Sequence, residues 1–155
     1  MLFRKIAQEK HLSLEQLGKI ALEDPSVDMV VDDRTVREAG KGRVVVDGQL
    51  AGWMLRDKAD LRIYLTAPEP IRLERIAKRD KLDLEMARAQ TIQRESVQRE
   101  RYVRHYGFEP ENKSIYQLIL DTSLGSINDT AKVLTDAAML VKRAREPRSW
   151  RRNLK

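Results

Sequence analysis

The sequence contains no cysteine, which excludes disulfides, thiolate metal sites and cysteine nucleophiles. No apolar run approaches the roughly 18 residues of a membrane-spanning helix, and the opening MLFRKIAQEK has no apolar core of a secretory signal. The two histidines, His11 and His105, have no metal-ligand spacing and no triad partners, so both are expected at the surface. With 155 residues, 41% hydrophobic and 35% charged, a single soluble, cytoplasmic domain is expected.

A phosphate-binding loop of the form GxxxxGK[ST] is also missing from these residues. The seven glycines stand at positions 18, 40, 42, 48, 52, 107 and 125, and none of them begins that pattern. Such a loop cradles nucleotide phosphates with backbone N–H groups, and its lysine neutralises their charge. The residues present therefore offer no cradle of this kind for ATP phosphates.

The positive net charge of +6 belongs to one end of the chain. Residues 142–155 carry seven basic residues against one acid, and residues 1–141 carry 23 of each sign. A tail of this kind is typical of a solvated chain end. It also leaves open weak contact with RNA or DNA phosphates, with Trp150 available for stacking. The sequence predicts a domain over residues 1–145 and a basic tail over 146–155.

Apolar patterning predicts an alternation of helices and strands. Helical spacing covers the first forty residues, a charge-dense segment from Pro70 to about His105, and a last helix from Ile127 to Arg145. Strand-like runs cover Val44–Val46, Leu61–Leu65 and Leu118–Leu120. Strands separated by helices indicate a parallel sheet, whose ligands bind beyond the carboxyl ends of the strands.

Two of the predicted strands end in polar residues that could face a ligand. Asp47-Gly48 follows the first strand in VVVDGQLAGWML, and Asp121-Thr122-Ser123 follows the third. A carboxylate at this edge can reach a bound metal or ligand, and glycine permits close backbone approach. An ordinary strand-to-helix turn would give the same pattern.

The central helical segment is rich in arginine, the residue whose planar fork suits phosphate. In QRESVQRERYVRHY, Arg94 and Arg101 lie seven residues apart with Gln98 between them, so two helical turns place them on one face. The alternative is a solvated helix on which these bases pair with nearby acids.

The ordered motifs resemble the archaeal-type cytidylate kinases, which are nucleoside monophosphate kinases of the P-loop superfamily. From about Leu2 to Val141 they run LFRKIA, SLEQLGKIALEDPSVD, DDRTVREA, VVVDGQLAGWML, ADLRIYLTAP, RLERIAKRD, QRESVQRERYVRHYG and SIYQLILDTS. The resemblance implies an α/β, three-layer, parallel-sheet kinase-like fold with a helical lid over about 72–106. It also implies that the first strand, the P-loop and its helix lie outside this chain, which would then be a fragment.

The resemblance further implies an ATP-dependent, Mg²⁺-requiring transfer of phosphate to CMP or dCMP, by a protein expected to be a monomer. The implied catalytic residues are Arg94, Arg101 and Arg79. The implied substrate-binding residues are Arg4, Arg34, Asp47 and Gly48. Those implied on the ATP side are Arg75, Thr122 and Ser123, and no protein metal ligand is expected.

Two positions depart from the family pattern. Gln49 stands where the family commonly has arginine, and Asp33-Arg34-Thr35 replaces a more basic run. A degenerate kinase-like binding or scaffold protein is therefore a second hypothesis. A nucleic-acid-associated protein acting through its tail is a third.

Overall fold

The structure is a computed structural model that describes residues 2–107, 109 and 112–145. In that part of the chain the elements follow in the order α1 (Leu2–Glu9), α2 (Leu14–Glu23), α3 (Ser26–Ala39), α4 (Ala51–Met54), β1 (Ile63–Thr66), α5 (Glu69–Asp80), α6 (Leu84–Tyr106), β2 (Leu118–Asp121) and α7 (Ile127–Arg145). None of the helices in this part is long and apolar enough to cross a membrane. The basic tail predicted for 146–155 lies outside the described residues.

The first three helices pack around a small apolar core, as their helical spacing predicts. Its buried members are Ala7, Leu17, Ala21 and Val27. At the start of α2, the Ser13 hydroxyl accepts from the backbone N–H of Gln16 at 3.0 Å, and the Gln16 side chain accepts from the Ser13 N–H at 2.8 Å. This reciprocal pair satisfies two N–H groups that a helix end otherwise leaves unpaired.

The strands β1 and β2 form a parallel pair with Ile63 opposite Leu118 and Thr66 opposite Asp121. Helices α5 and α6 connect them, so the predicted parallel, mixed α/β arrangement is confirmed for this pair. Their carboxyl ends lie at one edge, which places Thr66 beside Asp121.

The strand predicted at Val44–Val46 is wrong in this structure. Residues 44–46 have no assigned strand, and the side chain of Val45 is 99% exposed. A β-branched apolar run becomes a strand only where a neighbouring strand pairs its backbone and a packed face covers its side chains. The described sheet consists of β1 and β2 only, so residues 44–46 have neither a paired strand nor a packed face there.

The segment predicted as a helical lid folds as a helical hairpin. Helix α5 ends at Asp80 and is capped by Lys81, which has a left-handed conformation with a φ of 56°. The Asp83 carboxylate then accepts from the Met86 N–H at 2.7 Å at the start of α6. Exposed ion pairs join the two helices, Arg72 to Glu95 at 3.0 Å and Arg88 to Glu69 at 3.7 Å. The hairpin therefore has polar links along its length.

Helix α7 follows the predicted range and returns toward the start of β1. Its first turn is closed by Ser126 and Asp129, which exchange side-chain and backbone hydrogen bonds. Near its end, Arg145 forms an ion pair with Asp60, just before β1. Several of its apolar side chains are exposed, including Ile127 and Leu140.

Candidate functional site

The residues predicted for the ATP side come together at the carboxyl ends of the two strands. The Arg75 guanidinium reaches from α5 and donates to the Thr122 hydroxyl at 2.7 Å and to the Thr122 carbonyl at 2.8 Å. The Thr122 hydroxyl in turn donates to the Thr66 carbonyl at 3.0 Å. Arg75 thus uses both arms of its fork to fix the loop that follows β2.

Ser123 and Asp121 close the same loop. The Ser123 hydroxyl and backbone N–H donate to one Asp121 carboxylate oxygen at 2.7 and 2.8 Å. These hydrogen bonds, more than the nearby Arg75, lower the pKa of Asp121. The loop is therefore a fixed polar edge with an ionised carboxylate at its base.

A second polar cluster lies buried between α3 and α6, and sequence reasoning identified only part of it. The Arg101 Nε lies 3.1 Å from the Asp28 Oδ2, and these side chains are only 4% and 5% exposed. One turn along each helix, the Tyr106 hydroxyl donates to the Asp32 carboxylate at 2.5 Å. Because the pairs Asp28/Asp32 and Tyr102/Tyr106 each have i,i+4 spacing, a search for acids and tyrosines on facing helices could have found them.

Burial controls the protonation of this cluster. It raises the pKa of Asp28, an effect that the Arg101 charge only partly offsets. It also raises the pKa of Asp32, against the lowering effect of the Tyr106 hydrogen bond. Burial and the bond to Asp32 raise the pKa of Tyr106, so this hydroxyl stays a donor. Two acids therefore share one close guanidinium in a poorly hydrated space.

The cluster extends to the loop that precedes α4. The Tyr102 hydroxyl donates to the Gln49 Oε1 at 2.9 Å, and the Arg101 guanidinium carbon lies 5.2 Å from the centre of the Tyr102 ring. Gln49 is the position where the sequence departs from the family pattern. Its side chain links Asp47-Gly48, both exposed, to helix α6.

The predicted catalytic arginines have three different surroundings. Arg94 is half-buried on α6, whereas Arg101 is fully buried against α3. Arg79 is exposed and donates twice to the neighbouring Asp80, which raises the pKa of Arg79. The alternative of a solvated, paired helix holds for Arg104, which pairs with Glu100 at 2.7 Å.

The predicted substrate residues lie on separate elements. Arg34 is exposed on α3, at a shallow depression that Val30, Asp33, Arg37 and Glu38 also line. Arg4 lies in α1, and its side chain is outside the described part of the structure.

The two histidines have different surroundings. His11 is exposed as expected, but His105 is half-buried with its Nε2 3.0 Å from the Ala21 carbonyl, because α6 packs there on α2. The surface prediction for His105 is therefore wrong.

No group of three or more acidic or histidine side chains in the described residues is arranged to hold a metal ion. A magnesium ion in a phosphoryl-transfer site is held largely by substrate phosphates with one or two carboxylates. The exposed Asp47 fits that limited role, since the structure gives this carboxylate no ion pair with another described residue.

Comparison with known proteins gives a consistent result. A family model described as "Cytidylate kinase-like family" matches residues 1–124. A protein of Staphylothermus marinus named cytidylate kinase is 45% identical over 136 residues, which are 88% of this chain and 77% of that protein. The cytidylate kinase of Aeropyrum pernix is 42% identical over 88% of this chain and 80% of its own length. The cytidylate kinase of Pyrococcus horikoshii is 44% identical over 79% of this chain and 64% of its own length. The chain belongs to the cytidylate kinase-like family.

Proposed function

We propose that this chain provides the nucleotide-binding and lid portion of an ATP-dependent cytidylate kinase. The reaction transfers the γ-phosphoryl group of ATP to CMP or dCMP and yields the diphosphate. The observation that carries this proposal is the 45% identity to a protein named cytidylate kinase across 88% of the chain. The polar edge at the carboxyl ends of β1 and β2 supports it, because nucleotides bind at that edge of parallel sheets.

The arginines suit the chemistry of phosphoryl transfer, which requires positioning and charge stabilisation more than covalent catalysis. We assign the transferring phosphoryl group to Arg94, Arg79 and Arg101, all of them on the α5–α6 hairpin. The half-buried Arg94 would reach it by a change of side-chain rotamer. Arg79 would exchange its Asp80 partner for phosphate, and Arg101 would leave Asp28.

We assign CMP to the surface between α3 and the loop before α4. Arg34 is exposed there and offers a fork to the monophosphate, and Asp47-Gly48 would border the same nucleotide. Arg4 would contribute a second cation from α1. The preference for a cytosine base is inferred from the relatives, which are named cytidylate kinase.

On the ATP side, Arg75, Thr122 and Ser123 would border the nucleotide. The Arg75 fork is held by Thr122, so its orientation is set before any ligand arrives. Its flat face remains suited to stacking on a base. When bound, Mg²⁺ would neutralise charge on the ATP phosphates, and the exposed Asp47 would be a carboxylate able to hold it.

The 155 residues contain no GxxxxGK[ST] loop. We therefore expect them to bind CMP but not to consume ATP unless a phosphate-binding loop is supplied. The competing proposal, a binding protein that transfers no phosphate, is favoured by the absence of this motif from the 155 residues and by Gln49 at the arginine position.

Calorimetry with CMP, combined with a coupled assay of CMP-dependent ADP formation, tests the proposal. The chain should bind CMP and form no ADP. In a form of the protein that includes a phosphate-binding loop, Arg94→Ala should lower kcat by roughly two to three orders of magnitude, the effect of losing one charge-stabilising donor.

The matched control is Arg88→Ala, which removes an exposed α6 arginine paired with Glu69 and should leave kcat within about twofold. No detectable CMP binding at millimolar concentration would refute the substrate assignment. Unchanged kcat in Arg94→Ala would remove Arg94 from the site.

A further inference from the structure

The contact between Asp28 and Arg101 differs from the contacts of three other aspartates in the described part of the chain. Asp24, Asp121 and Asp129 each accept aligned hydrogen bonds from serine. The Asp28 Oδ2, in contrast, is buried and accepts no aligned hydrogen bond from any described residue, although the Arg101 Nε lies 3.1 Å away. A buried carboxylate oxygen that accepts no aligned hydrogen bond is an incompletely satisfied acceptor.

The position of Arg101 also matters. The residue is on the α5–α6 hairpin, and the ring of its neighbour Tyr102 lies beside its guanidinium. Tyr102 in turn contacts Gln49 in the loop that carries Asp47-Gly48. The guanidinium therefore lies one aromatic ring away from the loop assigned to the monophosphate.

We propose that Asp28 is a positioning residue that holds Arg101 in the absence of ligand and competes with the substrate phosphate for it. This inference rests on the proposed function, because it takes the competing anion to be the CMP phosphate that accepts the transferring phosphoryl group assigned to Arg101. Phosphate offers the guanidinium two aligned acceptors, whereas Asp28 provides a contact without hydrogen-bond alignment. A ligand shifts such an equilibrium only by the difference in its affinity for the two arrangements, and this exchange of partners supplies that difference.

The exchange is possible because Asp28 need not remain charged after Arg101 leaves. Burial raises the pKa of Asp28, and the nearby Asp32 raises it further. The loss of Arg101 removes the main group that lowers this pKa, so the carboxyl group becomes easier to protonate. The cost of an unpaired buried charge is thereby reduced.

Asp28→Asn tests the proposal, because it keeps the shape of the side chain and removes the competing charge. Binding of CMP and of inorganic phosphate is measured by calorimetry. Both affinities should rise about tenfold, the gain expected when roughly a tenth of the wild-type molecules have Arg101 released. The matched control is Glu100→Gln, which removes a charge from the Arg104 pair on the same helix and should change neither affinity. Adding Arg101→Gln to Asp28→Asn should abolish the gain.

The outcomes separate this proposal from the proposed function. Unchanged or weaker binding of both anions by a folded Asp28→Asn protein would overturn the role of Asp28, and wild-type binding of CMP would leave the kinase assignment intact. If CMP fails to bind but Asp28→Asn binds phosphate more tightly, the kinase assignment fails and the role of Asp28 stands. Absence of binding of either anion to any of these proteins overturns both.

A measurement on the wild-type protein covers the case in which Asp28→Asn does not fold. The NMR signals of the Asp28 carboxyl carbon and the Arg101 Nε–H group are followed during titration with CMP and with phosphate. Both signals should move together and saturate with the anion. An Asp28 carboxyl signal that stays fixed at saturation would show that the pair is permanent and would overturn the proposal.

Discussion

Gly52, in the short helix α4, provides a quantitative test of how this helix packs against Tyr116. A Cβ atom built at this position would lie 2.5 Å from the Tyr116 Cε1 and 2.7 Å from its hydroxyl oxygen. The ring cannot move away without cost, because it packs edge to face on Tyr64 with centres 5.2 Å apart. Gly52→Ala should therefore force either the ring or the short helix α4 to shift.

The magnitude follows from two opposing effects. Overpacking of this kind costs about 1–3 kcal/mol, and alanine in a helix gains at most about 1 kcal/mol over glycine. Because α4 has only four residues, the gain is at the lower end. A net loss of about 1–2 kcal/mol corresponds to a decrease in Tm of roughly 2–8 °C for a chain of this size.

Thermal unfolding monitored by circular dichroism measures the effect, and the chain supplies a matched control. Gly18 lies inside α2, and a Cβ there would meet no heavy atom of the described residues within 4 Å, apart from the backbone of its own helix. Gly18→Ala should therefore increase the free energy of unfolding by about 0.5–1 kcal/mol and raise Tm. An increase in Tm for Gly52→Ala like that for Gly18→Ala would refute a clash with Tyr116. An equal loss of stability from Gly52→Ala in a Tyr116→Ala background, where the ring is absent, would also refute it.

Two further predictions concern the polar cluster between α3 and α6. Gln49→Arg should tighten CMP binding about tenfold, because it returns a cation beside the phosphate, even though it removes the acceptor of the Tyr102 hydroxyl. Equal affinities of the two proteins for CMP in calorimetry would show that residue 49 does not face the substrate. Asp32→Asn should increase Tm at pH 7, because burial raises the pKa of Asp32 and its charged form therefore destabilises the fold. The gain should decline as pH falls and vanish below the ordinary aspartate pKa of about 4, so a larger gain at pH 4 than at pH 7 would contradict the assignment.

The sequence alone was sufficient for most of the helices and for the pair of parallel strands. Ser13 and Gln16 predicted the start of α2, and a last helix was predicted over about the range Ile127–Arg145 that α7 has. These features depend on local interactions, namely capping hydrogen bonds and apolar periodicity. Family membership followed in the same way from ordered motifs, and the comparisons confirm it.

The sequence also predicted that Arg75, Thr122 and Ser123 serve one site. The structure brings them to one loop, since carboxyl ends of parallel strands share an edge. Their role toward ATP stays a prediction.

Tertiary structure decided the fate of Val44–Val46 and of Arg101. The valine run has the composition of a strand, but strand formation requires a partner from elsewhere in the chain, and the two-stranded sheet does not extend to it. Helical spacing placed Arg94 and Arg101 on one face, yet only the packing of α3 against α6 buries Arg101 beside Asp28. Asp28 and Arg101 are 73 positions apart in the sequence. Their contact therefore depends on how the two helices pack and could not be found from the spacing within either helix.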